Sequence, residues 1–328
     1  MAVSLFWVGF PYLLMGFSHS YVLLLMCVMM VGVGNSLWHP TAIPTLARRY
    51  PDRKGLVLSL HGMGGNAGDA IAPLVIGTLL AVFTWRQVVV MNVVPGLVMS
   101  VLLLVFLGTL QLGPKKKAAA PGEPSSGGQS LAEYRSNLRQ LLRNRSLVLL
   151  STSGAFRSMT QNALLTFLPL YLARELGYSI MLVGASMFAL QAAGLVAAPV
   201  AGHLSDRMGR RSVVMTSMAM TAVVLLFMAF AGKSPIFIAF IAVLGFVLYA
   251  LRPVLQAWLL ESTPKNMGGS SIGILFGAQS LGSSVAPLIG GLIADRYGLG
   301  ATFYFLAGTI VCANVLIVFM PDTKAEQE

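Results

Sequence analysis

Apolar residues fill this chain in runs of about 20, the length that carries a helix across the hydrocarbon core of a bilayer. The runs fall at 2–17, 21–47, 56–83, 87–111, 147–173, 180–203, 212–231, 235–260, 270–294 and 298–320. Polar and charged residues collect in the short turns between runs and in one longer segment, 112–146. The pattern predicts an all-α polytopic membrane protein of about ten transmembrane helices with no separate soluble domain. The first run begins at Met1 without the charged n-region of a cleavable signal peptide.

Composition sharpens this. Of 328 residues 56% are hydrophobic and only 10% charged, against about 25% charged in soluble domains. The surface of a cytosolic enzyme cannot be coated with so little charge. The 34 glycines and 16 prolines fit membrane helices, where both are tolerated. A net charge of +11 would suit a nucleic-acid partner, but the cations lie in short clusters between apolar runs and read as topology signals. Taking alternate turns, one side holds Arg48, Arg49, Arg53, Lys54, Lys115, Lys116, Lys117, Arg135, Arg139, Arg143, Arg145, Arg207, Arg210, Arg211, Lys265 and Lys324. The other holds Arg86, Arg174, Lys233 and Arg296. The positive-inside rule places the first side, with both termini, in the cytoplasm, and the protein in the inner (plasma) membrane.

The 112–146 segment divides the chain into a four-helix half (1–112), a cytoplasmic linker (113–146), a six-helix half (147–321) and a short cytoplasmic tail (322–328). The linker opens with the composition of a flexible spacer, Pro114 to Ser130. Ser130 and Glu133 then form a capping-box pattern. Leu131, Leu138, Leu141 and Leu142 recur at helical spacing opposite Arg135, Arg139 and Arg143. A basic amphipathic helix on the membrane surface is expected there; a solvated helix is the plainer alternative.

Two runs share a pattern. Gly68, Ala72, Pro73, Leu74 and Gly77 match Gly282, Ala286, Pro287, Leu288 and Gly291, each pair 214 positions apart. Transporters are often built from repeated halves visible as weak symmetry of this kind. The same shift maps 212–231, 235–260 and 298–320 onto earlier runs. It carries 147–173 and 180–203 to positions before Met1, so the first half is expected to lack two helices that the second half has.

Gly202-His203-Leu204-Ser205-Asp206-Arg207-Met208-Gly209-Arg210-Arg211 is similar to motif A of the major facilitator superfamily, which lies between helices in a cytoplasmic loop. The Ala-Pro-Leu segments, with Gly290 and Gly291, resemble a degenerate form of that superfamily's motif C. A narrower likeness, through His39-Pro40, Gly55, Ser59, Gly64-Gly65-Asn66 and Gly68, is to the fosmidomycin-resistance drug-efflux branch. The superfamily resemblance implies two pseudo-symmetric helix bundles and alternating access. It further implies that Gly202, Asp206, Arg207, Gly209, Arg210 and Arg211 form a latch that closes the cytoplasmic side in one state. Asp206 would face the N-terminus of the helix starting near Ser270, where free N–H groups favour an anion. Arg210 or Arg211 would pair with Glu261. A turn of solvated charges is the plainer reading.

A charged side chain in mid-membrane costs about 2.5–3.5 kcal/mol on insertion scales and so marks a substrate or proton path. Asp69 is the mid-span carboxyl and a candidate proton carrier; a structural ion pair with Arg252 or Arg157 weighs evenly against that. Arg157 with Gln161 and Asn162, and Arg252 with Gln256, fall in two other spans. The two arginines are able to bind an anionic group such as a phosphonate or carboxylate through the planar guanidinium fork. His39, beside Pro40, is a weaker proton candidate than a hydrogen-bonded structural histidine. Gly64 with Gly68, Gly273 with Gly277, and the helix-bending Pro73 and Pro287 are expected to serve helix packing.

Cys27 and Cys312 sit in apolar runs, the 18 methionines form no cluster, and no nucleophile–base set or metal-ligand spacing stands out. Neither enzyme activity, a metal nor a cofactor is expected. The leading function is proton-coupled efflux of a small organic molecule by alternating access, from a monomer whose partners are substrate, protons and the lipid bilayer, with no nucleic acid. Proton-coupled uptake of a metabolite or organic anion is the alternative within transport; a transport-incompetent scaffold or partner subunit is the alternative outside it.

Overall fold

The computed structural model describes residues 2–34, 54–109, 139, 141–231, 236–263 and 267–321. Every regular element among them is helical. They are α1 (Ala2–Phe17), α2 (Tyr21–Gly34), α3 (Lys54–Leu80), α4 (Trp85–Met91), α5 (Val93–Thr109) and α6 (Arg145–Arg174). The rest are α7 (Ile180–Met208), α8 (Arg210–Ala231), α9 (Ile236–Tyr249), α10 (Leu251–Glu261), α11 (Gly268–Tyr297) and α12 (Ala301–Val318). Six stretches among the described residues are long and apolar enough to cross a membrane; α4 with α5 counts as one and α9 with α10 as another. The remainder of the second expected span, His39 and the amphipathic linker helix lie outside the described residues, apart from Leu141, which is buried, and its helical neighbours.

Two expected single spans are broken. Proline has no N–H to give the carbonyl four residues back and disrupts the turn before it. Pro95 leaves the Met91 carbonyl without that bond, and α4 gives way to α5 at Asn92. Pro253 does the same to Tyr249, and α9 gives way to α10 at Ala250. In a membrane such freed carbonyls are tolerated where protein or a polar cavity answers them.

Two compact units divide the chain: 1–68 with 75–127, and 69–74 with 128–328. In the first, α1 packs on α4 and α5. Gly16 is pressed against Val90, the Trp7 indole donates to the Met30 carbonyl at 3.2 Å, and Thr84 with Gln87 caps α4 by a reciprocal capping box.

In the second unit α6 is the spine, lying along α11 and α12, while α7 packs on α9 and α8 on α12. The packing of α8 on α12 repeats that of α1 on α4 and α5 under the 214-residue shift. Lipid tails are as apolar as leucine, so close backbone approach and hydrogen bonds drive such seams. Gly282 lies against the Ala155 backbone and Gly290 against the Phe167 ring. Between them Ser158 and Ser283 share a 2.6 Å hydrogen bond, and Asn162 Nδ2 donates to Ser283 Oγ at 2.7 Å. On the α12 side the hydroxyls of Thr160 and Thr309 meet at 2.9 Å, and Ser153 donates to the Ala313 carbonyl at 3.0 Å.

On α11 the packing glycines are therefore not the expected ones. A Cβ on Gly64, Gly68, Gly273 or Gly277 would meet no described atom within 4 Å. The buried face of α11 runs through Ser271, Leu275, Gln279, Gly282, Ala286 and Gly290, and Gly273 and Gly277 lie off it, exposed. Proline spacing and small-residue content were legible, but which side of the helix carries the seam depends on the neighbour.

Gly282→Leu is expected to overpack the α6–α11 seam at a cost of about 1–3 kcal/mol, seen as lost monodisperse protein and a lower melting temperature in detergent. Gly277→Leu should leave both near wild type. Equal effects would contradict the seam.

Candidate functional site

Polar side chains from the middles of α3, α6 and α7 and from the break between α9 and α10 come together, in the part of a span where charge is most costly. On α6, Arg157 is only 2% exposed. Its Nη1 donates to Gln161 Oε1 at 2.8 Å, one turn along the same helix, while its buried Nε has no partner. Arg252, in the first turn of α10, lies within electrostatic reach of both Arg157 and Asp69. Tyr249 ends α9; its buried hydroxyl lies close to Gln161 without closing a hydrogen bond, and within reach of Asp69, Arg157 and Arg252. Gln191, midway along α7, donates its side-chain amide to the Asp69 carbonyl.

Local sequence explains the placement of Tyr249. A Cβ at Gly194 would stand 2.6 Å from Tyr249 Cβ and 2.9 Å from its Cγ, so the bare backbone at 194 is what admits the ring. Gly245, one turn earlier on α9, abuts the Leu190 backbone in the same way. The break forced by Pro253 then turns Arg252 out of the α9 axis beside that ring.

Not every expected member joins the group. Asn162 points to α11, donating its amide to Ser283 Oγ there and to the Ser158 carbonyl one turn back on α6; it fastens the spine instead of joining the group. Gln256 lies half-buried one turn beyond Arg252. Asp69 has no cation within 4 Å among the described residues, so the ion pair weighed for it with Arg252 or Arg157 is not formed. Tyr249 and Gln191 were not singled out in the sequence. A glutamine in mid-run and a tyrosine four residues before a proline were the signals available.

A second cluster closes one end of this unit. The helix continues through Ser205-Asp206-Arg207-Met208 where a loop was expected, and the turn to α8 is Gly209 alone, at φ +86°. That left-handed backbone is strained for a residue with a Cβ. The tight turn sets Arg210 against Asp206, Nη1 to Oδ1 at 2.6 Å, and the same guanidinium forks onto Glu261, Nη2 to Oε1 at 2.9 Å and Nε to Oε2 at 3.3 Å. Arg210 also donates to Ser205 Oγ. Both carboxylates stand at helix C-termini, where the backbone dipole disfavours an anion, and one guanidinium answers both. Asp206 does not cap the helix near Ser270: α11 starts from Met267 without a side-chain cap, and Arg210, one turn away, takes the carboxylate instead. Arg211 donates to the Val318 carbonyl at 2.8 Å, at the end of α12. Gly202 and Arg207 flank the cluster, Arg207 exposed.

The mid-span group offers two cations, a carboxyl, a phenol and two amides at one depth. Groups of these kinds are chemically able to hydrogen-bond a polar solute and to exchange a proton.

The family model of the Major Facilitator Superfamily matches residues 1–197 and 150–328. The fosmidomycin resistance protein of Escherichia coli is 24% identical over 95% of this chain and 73% of its own length. The phosphoglycerate transporter protein of Salmonella typhimurium is 23% identical over 91% of this chain and 69% of its own length. A multidrug resistance protein of Serratia proteamaculans, MdtG, is 37% identical over 121 residues, 37% of this chain and 29% of that protein. Among solved structures, a bacterial homologue of the human lysosomal transporter Spinster, inward-facing and unoccupied, superposes with a TM-score of 0.74 at 16% identity, covering 97% of this chain and 80% of that one.

Because Asp206 and Glu261 share one guanidinium, Asp206→Asn and Glu261→Gln are expected to be non-additive. At side-chain exposures of 63% and 51%, each costs at most about 1 kcal/mol, with a coupling of about 0.5 kcal/mol in a double-mutant cycle. Strict additivity of the melting shifts would contradict the shared contact.

Proposed function

The chain belongs to the Major Facilitator Superfamily, and on that premise we propose that this membrane transport protein is a proton-coupled exporter of a small organic molecule working by alternating access. The observation that carries the proposal is the mid-span group, in which Asp69 is the carboxyl and Arg252 and Tyr249 lie within its electrostatic reach. A carboxyl in that position, free of an ion pair, is able to take up a proton on one side and release it on the other while Arg157, Gln161 and Arg252 hold the solute. Relatives whose names are multidrug resistance protein and fosmidomycin resistance protein support export. The Asp206–Arg210–Glu261 cluster serves as the latch of the charged end, formed in one state and broken in the other.

A second reading, uptake of an organic anion, is favoured by Arg157, which is buried without a counter-ion among the described residues; a relative is named a phosphoglycerate transporter. In either direction the protein sits in the inner membrane of a bacterial cell. Both termini and the linker lie on the cytoplasmic side, between a four-helix part (1–112) and a six-helix part (147–321).

Flux in proteoliposomes tests the coupling. Asp69→Asn is expected to abolish pH-driven uphill transport while keeping downhill exchange and normal abundance. Wild-type flux with an intact pH response would defeat the carrier role, and collapse of abundance would point to a structural one. Reporter fusions at Gly127 and at the C-terminus are both expected to report cytoplasm; an external signal at either would overturn the orientation.

A further inference from the structure

We propose that Arg157, with the Tyr249 hydroxyl and Gln161, forms a subsite for the anionic group of the transported solute, a carboxylate, phosphate or phosphonate. The inference rests on the transport reading above and narrows its substrate class.

A guanidinium in mid-span is expensive unless something answers its charge. Among the described residues nothing does: no carboxylate lies within 4 Å of Arg157, and the neutral Gln161 accepts one N–H. Arg252, the charged residue within its reach, has the same sign, so the pair repel in a medium that screens them poorly. Asp69 acts on Arg252 and is not an answer to Arg157. Two further donors in the same place lack an acceptor at hydrogen-bond geometry among the described residues, the buried Nε of Arg157 and the buried hydroxyl of Tyr249, which has Gln161 close by. Buried polar groups are satisfied in native proteins with few exceptions, and each exception asks for an explanation.

The seam residues show that this is not loose packing. On the side of α6 that faces α11 and α12, Ser153, Ser158, Thr160 and Asn162 all have hydrogen-bond partners. Ser151 Oγ, also on α6, likewise lacks a partner among the described residues, but only beside Tyr249 do an unmet guanidinium N–H and an unmet phenol stand together, and Gly194 is bare so that the Tyr249 ring can stand there. A planar fork, a phenol and an adjacent second cation, with only the neutral Gln161 oxygen as acceptor among them, form a complement to an oxyanion. A leucine at 157 would serve a purely structural purpose at lower cost. The groups come from α6 and α9, within one unit, so binding is separable from the transport cycle.

The test is thermal unfolding of the purified full chain in detergent, with sodium methylphosphonate, phosphate and acetate as probes against chloride at constant ionic strength. The wild type is expected to show saturable stabilisation by at least one oxyanion probe. Arg157→Gln should lose that response, an apparent affinity at least about tenfold weaker, while its own melting temperature stays equal or rises because an unanswered charge has been removed. Tyr249→Phe should weaken the response severalfold without loss of fold. Absence of any oxyanion response in the wild type, an undiminished response in Arg157→Gln, or a lower melting temperature of probe-free Arg157→Gln would overturn the subsite. Transport of neutral solutes without an oxyanion response removes this inference and leaves the transporter reading. An oxyanion response in a chain that moves no solute does the reverse.

Discussion

A positive charge held in the middle of a membrane helix must be answered, and the unanswered guanidinium of Arg157 is the constraint around which the second unit is organised. Its helix, α6, could not hold so polar a residue at that depth if it packed by apolar surface alone. The seam with α11 and α12 supplies what lipid cannot: Gly282 and Gly290 bring backbones close, and Ser158, Ser283 and Asn162 lock the register. With that seam fixed, α6 presents Arg157 and Gln161 one turn apart. The α7–α9 approach at Gly194 and Gly245 then places Tyr249 there, and the proline break brings Arg252 beside it. Site and fold are one arrangement.

The two ends of this unit differ in how they are closed. At one, Tyr171, Phe237 and Phe303, from α6, α9 and α12, form a triangle with ring centroids 5.0–5.7 Å apart. At the other, closure rests on Arg210 with Asp206 and Glu261, both largely exposed. Aromatic pairs contribute about 0.5–1.5 kcal/mol each beyond their buried area, whereas exposed ion pairs contribute about 0.2–1 kcal/mol. The charged end is the weaker of the two and the one that can open at small cost. That asymmetry puts the Asp206–Arg210–Glu261 contacts at the end where breakage is cheap.

Much of this was legible in the sequence because bilayer thickness and helix rise leave little freedom: apolar runs placed α6, α8, α11 and α12 to within about three residues at each end, though not the breaks inside 87–111 and 235–260. The motif resemblance put Arg210 or Arg211 on Glu261, and the structure selects Arg210; the repeat followed from Ala-Pro-Leu in a common register. What could not be read were relations between helices. Gly-x-x-x-Gly spacing marks a face that permits close approach, but Gly282 and Gly290 were chosen by where α6 lies, and Gly273 and Gly277 were not. Asn162 looked equivalent to Gln161, yet one residue turns a helix by about 100°, enough to send one amide to the seam and the other to the site. Tyr249 carries no charge and sits in an apolar run. Only the carbonyl freed by Pro253 and the bare Gly194 distinguish it.

The central claim is that the mid-span group is a solute path open to each side in turn. Substituted-cysteine accessibility tests it most directly. Cys27 and Cys312 would be replaced and a single cysteine placed at Gln256, one turn from Arg252 and half-buried. The protein in oriented vesicles would then be exposed to a membrane-impermeant thiol reagent from one side or the other. The account predicts labelling from both sides, with the balance shifted by a pH gradient. Labelling from one side only, unchanged by the gradient, would contradict it.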